Sequence, residues 1–161
     1  MIFVTVGTQL PFDRFIRAID NWASSRLRDD VFAQIGPSEL KPNRITAVPF
    51  IDPQEFRRRV SDARVVVAHA GMGSIITALE LNKPILVMPR RADLMEHRND
   101  HQIATARKFQ QSGRISVAMS EAELMDSLDR LDALSGSAPV APQASPQLIA
   151  AVRDFLQSHA K

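Results

Sequence analysis

The first apolar run, Ile2 to Val6, is rich in β-branched residues and stops at Gly7, after which Phe12, Phe15, Ile16, Ile19 and Trp22 recur at helical spacing. This pattern predicts a strand, a tight turn and an amphipathic helix. The alternation repeats down the chain. Val31 to Ile35 and Ile45 to Val48 read as short strands, Pro53 to Val60 as a helix, and Ala63 to Ala68, with three consecutive valines, as a buried strand. A glycine-rich turn follows, then a helix from about Ser74 to Leu81 and a strand from Pro84 to Met88. Asp100 to Gln110 reads as a helix, Arg114 to Val117 as a short strand, and Glu121 to Leu134 as a helix carrying Leu124, Leu128 and Leu131 on one face.

Strands that are apolar throughout and alternate with helices predict a parallel sheet covered on both faces, an α/β, Rossmann-like, doubly wound fold. Residues 1–134 make up that unit. Between Ser135 and Pro146 the composition shifts to Ser, Ala, Gly and Pro, the signature of a linker over 135–146. Over 147–161, Leu148, Ile149, Val152, Phe155 and Leu156 form an amphipathic stripe that packs on its own domain or on another protein.

Composition narrows the function classes. The chain has 161 residues, enough for one domain of this kind, and its formal charge of +2 gives no global cationic excess of the sort that drives nucleic-acid binding. There is no cysteine, which excludes disulfides, thiolate metal sites and a cysteine nucleophile. No apolar run approaches the roughly 20 residues of a bilayer span, so membrane attachment is expected to come from a partner.

Candidate chemistry lies at the predicted carboxyl ends of strands, where open α/β sheets bind ligands. Gly7-Thr8-Gln9 follows the first strand. His69-Ala70-Gly71-Met72-Gly73-Ser74 follows the valine strand and opens a helix, with glycines that admit a bulky anion to the backbone and Ser74 placed to cap the helix and donate to a phosphate. It is neither a P-loop nor a full dinucleotide fingerprint, and a tight serine-capped turn is the alternative reading. A polar run, Glu96 to Gln102, follows the strand ending at Met88; its side chains bind sugar hydroxyls or merely cap the next helix. His97 and His101 are four apart, but the Glu of the helical zinc motif is missing. Arg90 and Arg91 add charge at the same edge or lie on the surface.

Together these segments resemble the C-terminal domain of family 28 glycosyltransferases, and more closely its free-standing relatives that act as catalytic subunits of split enzymes. The likeness runs from Met1 to about Leu131 and is carried by Val4-Thr5-Val6-Gly7-Thr8-Gln9 with Phe12-Asp13, the loop from His69 to Ser74, Lys83-Pro84, and Asn99-Asp100-His101-Gln102. It implies the donor-binding half of a GT-B enzyme, with a UDP-sugar as substrate, inverting chemistry without a metal or other cofactor, and no nucleic acid. The acceptor half is then a separate, membrane-anchored subunit presenting a lipid-linked saccharide, with the chain held at the cytoplasmic face of the membrane through it.

Carried over by position, Gly7, Thr8, Gln9, Gly71, Met72, Gly73 and Ser74 meet the diphosphate. Phe50 and Ile51 frame the uracil, and His101 and Gln102 hold the donor sugar. Where the family commonly has a glutamate on the ribose this chain has Thr77, with Glu80 one helical turn further on. Either Thr77 makes a single bond or Glu80 reaches back. Asp13 and His69 are the candidates for the general base, which the partner otherwise supplies. Two other readings compete: a non-catalytic nucleotide-sugar-binding or regulatory subunit, and a dinucleotide-dependent oxidoreductase, against which counts the lack of an acidic residue at the expected distance.

Overall fold

A computed structural model describes residues 1–131. The predicted linker and final amphipathic helix lie outside the described residues. In chain order the elements are β1 (Ile2–Thr5), α1 (Asp13–Ser25), β2 (Val31–Gln34), β3 (Thr46–Val48), α2 (Pro53–Asp62), β4 (Val65–His69), α3 (Met72–Glu80), β5 (Ile85–Met88), α4 (His101–Gln111), β6 (Ser116–Val117) and α5 (Glu121–Asp129). The strands form one six-stranded sheet in the order β3-β2-β1-β4-β5-β6. Every pairing is parallel.

Strand side chains alternate between the two faces, and the cores follow that alternation. Ile2, Val4, Val65, Val67, Leu86 and Met88 point to the layer of α1 and α5, where Phe15, Ile16, Ile19, Leu124 and Leu128 meet them. Phe3, Val66, Ala68, Ile85 and Val87 point the other way, to Val60 of α2, Ile75, Ala78 and Leu79 of α3, and Ala106 of α4. With helices on both faces, β1 and β5 bury every side chain and β4 all but His69, which explains their lack of polar alternation.

Several boundaries differ from the sequence reading. Helix α3 begins at Met72 rather than Ser74, with Gly71 at its N-cap and no side-chain cap. Ser74 is therefore the third residue of the first turn, and its predicted capping role does not hold. Strand β6 shrinks to Ser116–Val117. Helix α2 starts as its sequence dictates: Asp52 accepts the Glu55 amide at 2.8 Å, and Pro53 occupies the first turn, where its missing N–H costs nothing.

Polar side chains tie the connections down. Glu96 receives both Nε and Nη2 of Arg14, at 2.7 and 2.9 Å, and the amide of Arg91 at 2.9 Å, joining α1 to the loop after β5. Asp20, only 7% exposed, accepts the backbone amides of Asn43, Arg44 and Ile45 at 2.9, 2.8 and 3.1 Å. One carboxylate on α1 thus terminates the long connection between β2 and β3 and delivers the chain into the sheet edge. Asp20→Ala orphans those three amides, and the expected cost is about 3 kcal/mol of unfolding free energy. Urea denaturation checks this: the midpoint falls with an unchanged slope, and Asp20→Asn, which keeps one acceptor oxygen, loses less.

Candidate functional site

The winding of the sheet reverses between β1 and β4. Chain leaving β1 enters α1 on one face, while chain leaving β4 enters α3 on the other, so the two loops diverge and leave a crevice at the carboxyl ends of both strands. A cleft of about 560 Å³ occupies that place, within the range of about 300–1,000 Å³ usual for small-molecule sites. Its walls come from the turn after β1, the loop and first turn of α3, the start of α2, and the segment between β5 and α4.

Helix α3 presents its N-terminus to this cleft. The amides of Met72, Gly73 and Ser74 have no intrahelical acceptor, and they carry the positive end of the helix dipole. The three glycines do different jobs. A Cβ on Gly71 would stand 2.1 Å from Nε2 of His69, and one on Gly7, whose φ of 75° already favours glycine, would stand 2.8 Å from its Cε1. Gly7 and Gly71 therefore make room for the imidazole, a requirement within the protein rather than toward an anion as the sequence reading had it. Gly73 alone of the three faces open space, and a Cβ added there would meet nothing within 4 Å.

The imidazole packed by these glycines is partly buried, with Nδ1 3.4 Å from the carbonyl oxygen of Thr5. Loss of hydration, reinforced by the nearby Arg90 charge, pushes its pKa down to about 4. It is a neutral spacer at ordinary pH and a weak base. Asp13, the other candidate base, accepts the Ser38 hydroxyl at 2.6 Å and lies outside the cleft wall.

Arg90 and Arg91 have opposite fates. Arg91 pairs with Asp93 at 2.6 Å on the surface. Arg90 is 3% exposed, lines the cleft, donates from Nη2 to the carbonyls of Val6 (2.8 Å) and Leu10, and stacks its guanidinium 5.1 Å from the Phe12 ring centroid. Burial lowers its pKa to about 10, with Glu96 acting in the opposite direction, so it remains charged at neutral pH. Its amide donates to Oε1 of Gln102 at 3.0 Å, which fixes that buried side chain in the wall.

The remaining sequence candidates divide. Thr8, Gln9, Ile51, Met72, Ser74 and Thr77 line the cleft. Thr77 donates its hydroxyl to the Gly73 carbonyl at 2.8 Å and keeps its acceptor lone pairs. Glu80 does not reach back: it pairs with Arg57 at 3.1 Å and lies outside the wall. Phe50 is 51% exposed, neither in the core nor in the cleft, and His101 is exposed at the start of α4 and also outside it. Of the groups that the sequence left open, Arg90 and His97 of the polar run also line it, and the structure adds Gln34, Pro53 and Phe56. Gln34 carried a faint signal, a polar residue closing an apolar strand; Phe56 had none, because helical spacing marks it as core. Histidines 97 and 101 share no helix, since α4 begins at the second of them.

No aspartate or glutamate lines this cleft among the described residues. Its electrostatics are set by one arginine and a helix N-terminus, an arrangement that attracts a compact anion. Beside it, Ile51, Pro53 and Phe56 offer an apolar surface of the kind a planar base requires.

A family model described as the glycosyltransferase family 28 C-terminal domain matches residues 1–139. Over 68 residues the chain is 43% identical to the UDP-N-acetylglucosamine transferase subunit ALG13 of Candida glabrata, a stretch that covers 42% of this chain and 32% of that protein. Among solved structures it is similar to ALG13 in solution, with a TM-score of 0.58, 17% identity, and coverage of 94% of this chain and 93% of that one. MurG of Acinetobacter baumannii gives a TM-score of 0.62 at 16% identity, covering 97% of this chain and 49% of that one. The kitacinnamycin glycosyltransferase gives 0.61 at 18%, with this chain spanning 39% of its length. These structural likenesses establish a shared fold.

The depressed His69 pKa makes stability depend on pH. Folded His69 takes up its proton only near pH 4, whereas the unfolded chain does so near 6.5. Throughout that window the unfolded state binds more protons, so stability falls as pH drops through it, by on the order of 3 kcal/mol from this residue. Denaturation at a series of pH values checks it: His69→Gln should flatten the fall between those limits relative to the parent chain.

Proposed function

The chain belongs to the glycosyltransferase family 28 C-terminal domain family, and from that premise we propose that it is the donor-binding catalytic subunit of a two-component inverting glycosyltransferase. It moves a sugar from a UDP donor to a lipid-linked acceptor in polysaccharide or glycoconjugate assembly. A membrane-anchored subunit supplies the acceptor site and holds the chain at the cytoplasmic face. Among the described residues no helix is long and apolar enough to cross a membrane.

The observation that carries this reading is the free amides of Met72, Gly73 and Ser74 facing the Gly7–Gln9 turn across a cleft that no carboxylate lines among the described residues. A diphosphate laid there meets backbone donors, a helix dipole and the Arg90 charge. As the bond to the sugar breaks, charge grows on the departing diphosphate, and donors already aimed at it stabilise that change without reorganising. Metal-free chemistry is part of this proposal: the α3 amides and Arg90 meet the charge on the leaving diphosphate. Uracil lies against Ile51, Pro53 and Phe56, a ribose hydroxyl donates to Thr77, and Gln102 meets the sugar.

The acceptor side is less furnished. Asp13 is engaged by Ser38, and His69 is a weak base pinned between glycines. This favours a base brought by the acceptor subunit, and it also keeps alive a purely nucleotide-sugar-binding role. Transfer of labelled sugar to membrane lipids separates the two readings. Transfer only when the chain and a membrane partner are combined supports catalysis; UDP binding with no transfer in any combination supports the binding role.

Gly73→Asp should fold normally, because a Cβ there meets nothing and a carboxylate in the first turn suits the helix dipole. It should nevertheless abolish UDP binding by placing negative charge against the diphosphate. Calorimetry with UDP checks this, and unchanged affinity in the folded variant removes the glycine loop from the site. Gln102→Ala should weaken binding of the intact UDP-sugar about tenfold, the value of one good hydrogen bond, and spare UDP itself.

A further inference from the structure

Arg90 is the only lysine or arginine that is fully buried among the described residues. Taking a guanidinium out of water costs several kcal/mol unless a partner charge offsets it. No carboxylate among the described residues forms an ion pair with it. Glu96, the nearest acidic influence on its charge, has its oxygens occupied by Arg14 and the Arg91 amide. Two carbonyls and the Phe12 ring hold the cation in place, while its Nε is buried without any hydrogen-bond partner. The fold therefore maintains an incompletely compensated positive charge beside a cleft that, among the described residues, is lined by no negative side chain.

The same residue is the mechanical link between the two halves of the site. The carbonyls it grips, Val6 and Leu10, bracket the Gly7-Thr8-Gln9 turn. Its backbone amide donates to Oε1 of Gln102, leaving the amide donor end of that side chain for a ligand in the cleft it lines. Moving Arg90 moves both.

We propose that Arg90 is the positioning residue of the donor site: it holds the Gly7–Gln9 turn in register with Gln102, and its buried charge makes the cleft prefer a nucleoside diphosphate to the uncharged nucleoside. The proposal rests on the nucleotide-sugar reading of the cleft. It assigns the diphosphate preference to one side chain in addition to the amides of α3.

Titration calorimetry with UDP and with uridine, on the parent chain, Arg90→Met and Arg90→Lys, tests it. Arg90→Met should lose about tenfold to a hundredfold in UDP affinity, the worth of a charged contact, with little change for uridine. Arg90→Lys keeps the charge and a donor but lacks the planar fork, so its UDP loss should be the smaller one and its salt dependence should stay close to that of the parent. A folded Arg90→Met that binds UDP as the parent does, or loses UDP and uridine by the same factor, overturns the proposal. Should Arg90→Met not fold, Arg90→Gln, which keeps a donor for the two carbonyls and removes the charge, decides by the same comparison: a loss larger for UDP than for uridine supports it, and equal losses or none overturn it. A parent chain that binds neither ligand instead removes the nucleotide-sugar reading itself.

Discussion

A parallel sheet wound outward in both directions from its middle must have one place where neighbouring strands send their connections to opposite faces. Here that place lies between β1 and β4, and most of what is distinctive about the molecule follows from it. The crevice left there is bordered by backbone at the turn after β1 and at the uncapped first turn of α3, with side chains such as Arg90 and Gln102 completing the wall. Backbone amides that find no partner within the helix are costly if sealed away from water and useful if left facing it. An anion site at this point is therefore the natural use of a topological necessity.

The elements themselves were legible in the sequence, because burial on both faces writes strands as unbroken apolar runs and helices as stripes. Each of the eleven predicted segments has its counterpart in the structure, displaced by a few residues at the ends. What periodicity does not encode is lateral order, since strand pairing is decided by contacts between segments far apart in the chain. The start of α3 shows a subtler limit. Ser74 looks like a cap by residue type, yet the helix begins two residues earlier because Gly71 takes the extended N-cap conformation, leaving Ser74 buried inside the first turn.

The site was legible in its glycine loop and first turn, and less so wherever a side chain's role depends on its neighbours. Gly7 and Gly71 read as concessions to a ligand, but the His69 ring lies against both, a contact that for Gly7 joins residues distant in sequence. Arg90 and Arg91 are chemically identical and adjacent, so sequence alone leaves them equivalent. The chain beyond β5 separates them, turning one inward over Phe12 and the other outward to Asp93. Phe50 and Phe56 follow the same logic in reverse: the aromatic chosen by position is exposed, and the one that borders the cleft sits on α2 against Phe3.

The charge distribution of the cleft separates two tasks that a group-transfer site must perform. Under the proposed reaction, stabilising a departing diphosphate needs fixed positive charge and donors, and Arg90 and the amides of α3 are the groups of the wall suited to it. Activating an incoming hydroxyl needs an accessible base, and the two groups suggested by sequence are both engaged elsewhere, Asp13 with Ser38 and His69 between glycines. His97 is the remaining imidazole in the wall, its Nδ1 3.1 Å from the Asn99 carbonyl. A carboxylate placed in this wall to serve as base would oppose the anion that the same few ångströms must hold. In the two-component enzyme proposed above, gripping the leaving group on one subunit and activating the nucleophile from the other resolves that conflict without asking a single cleft to be both cationic and basic.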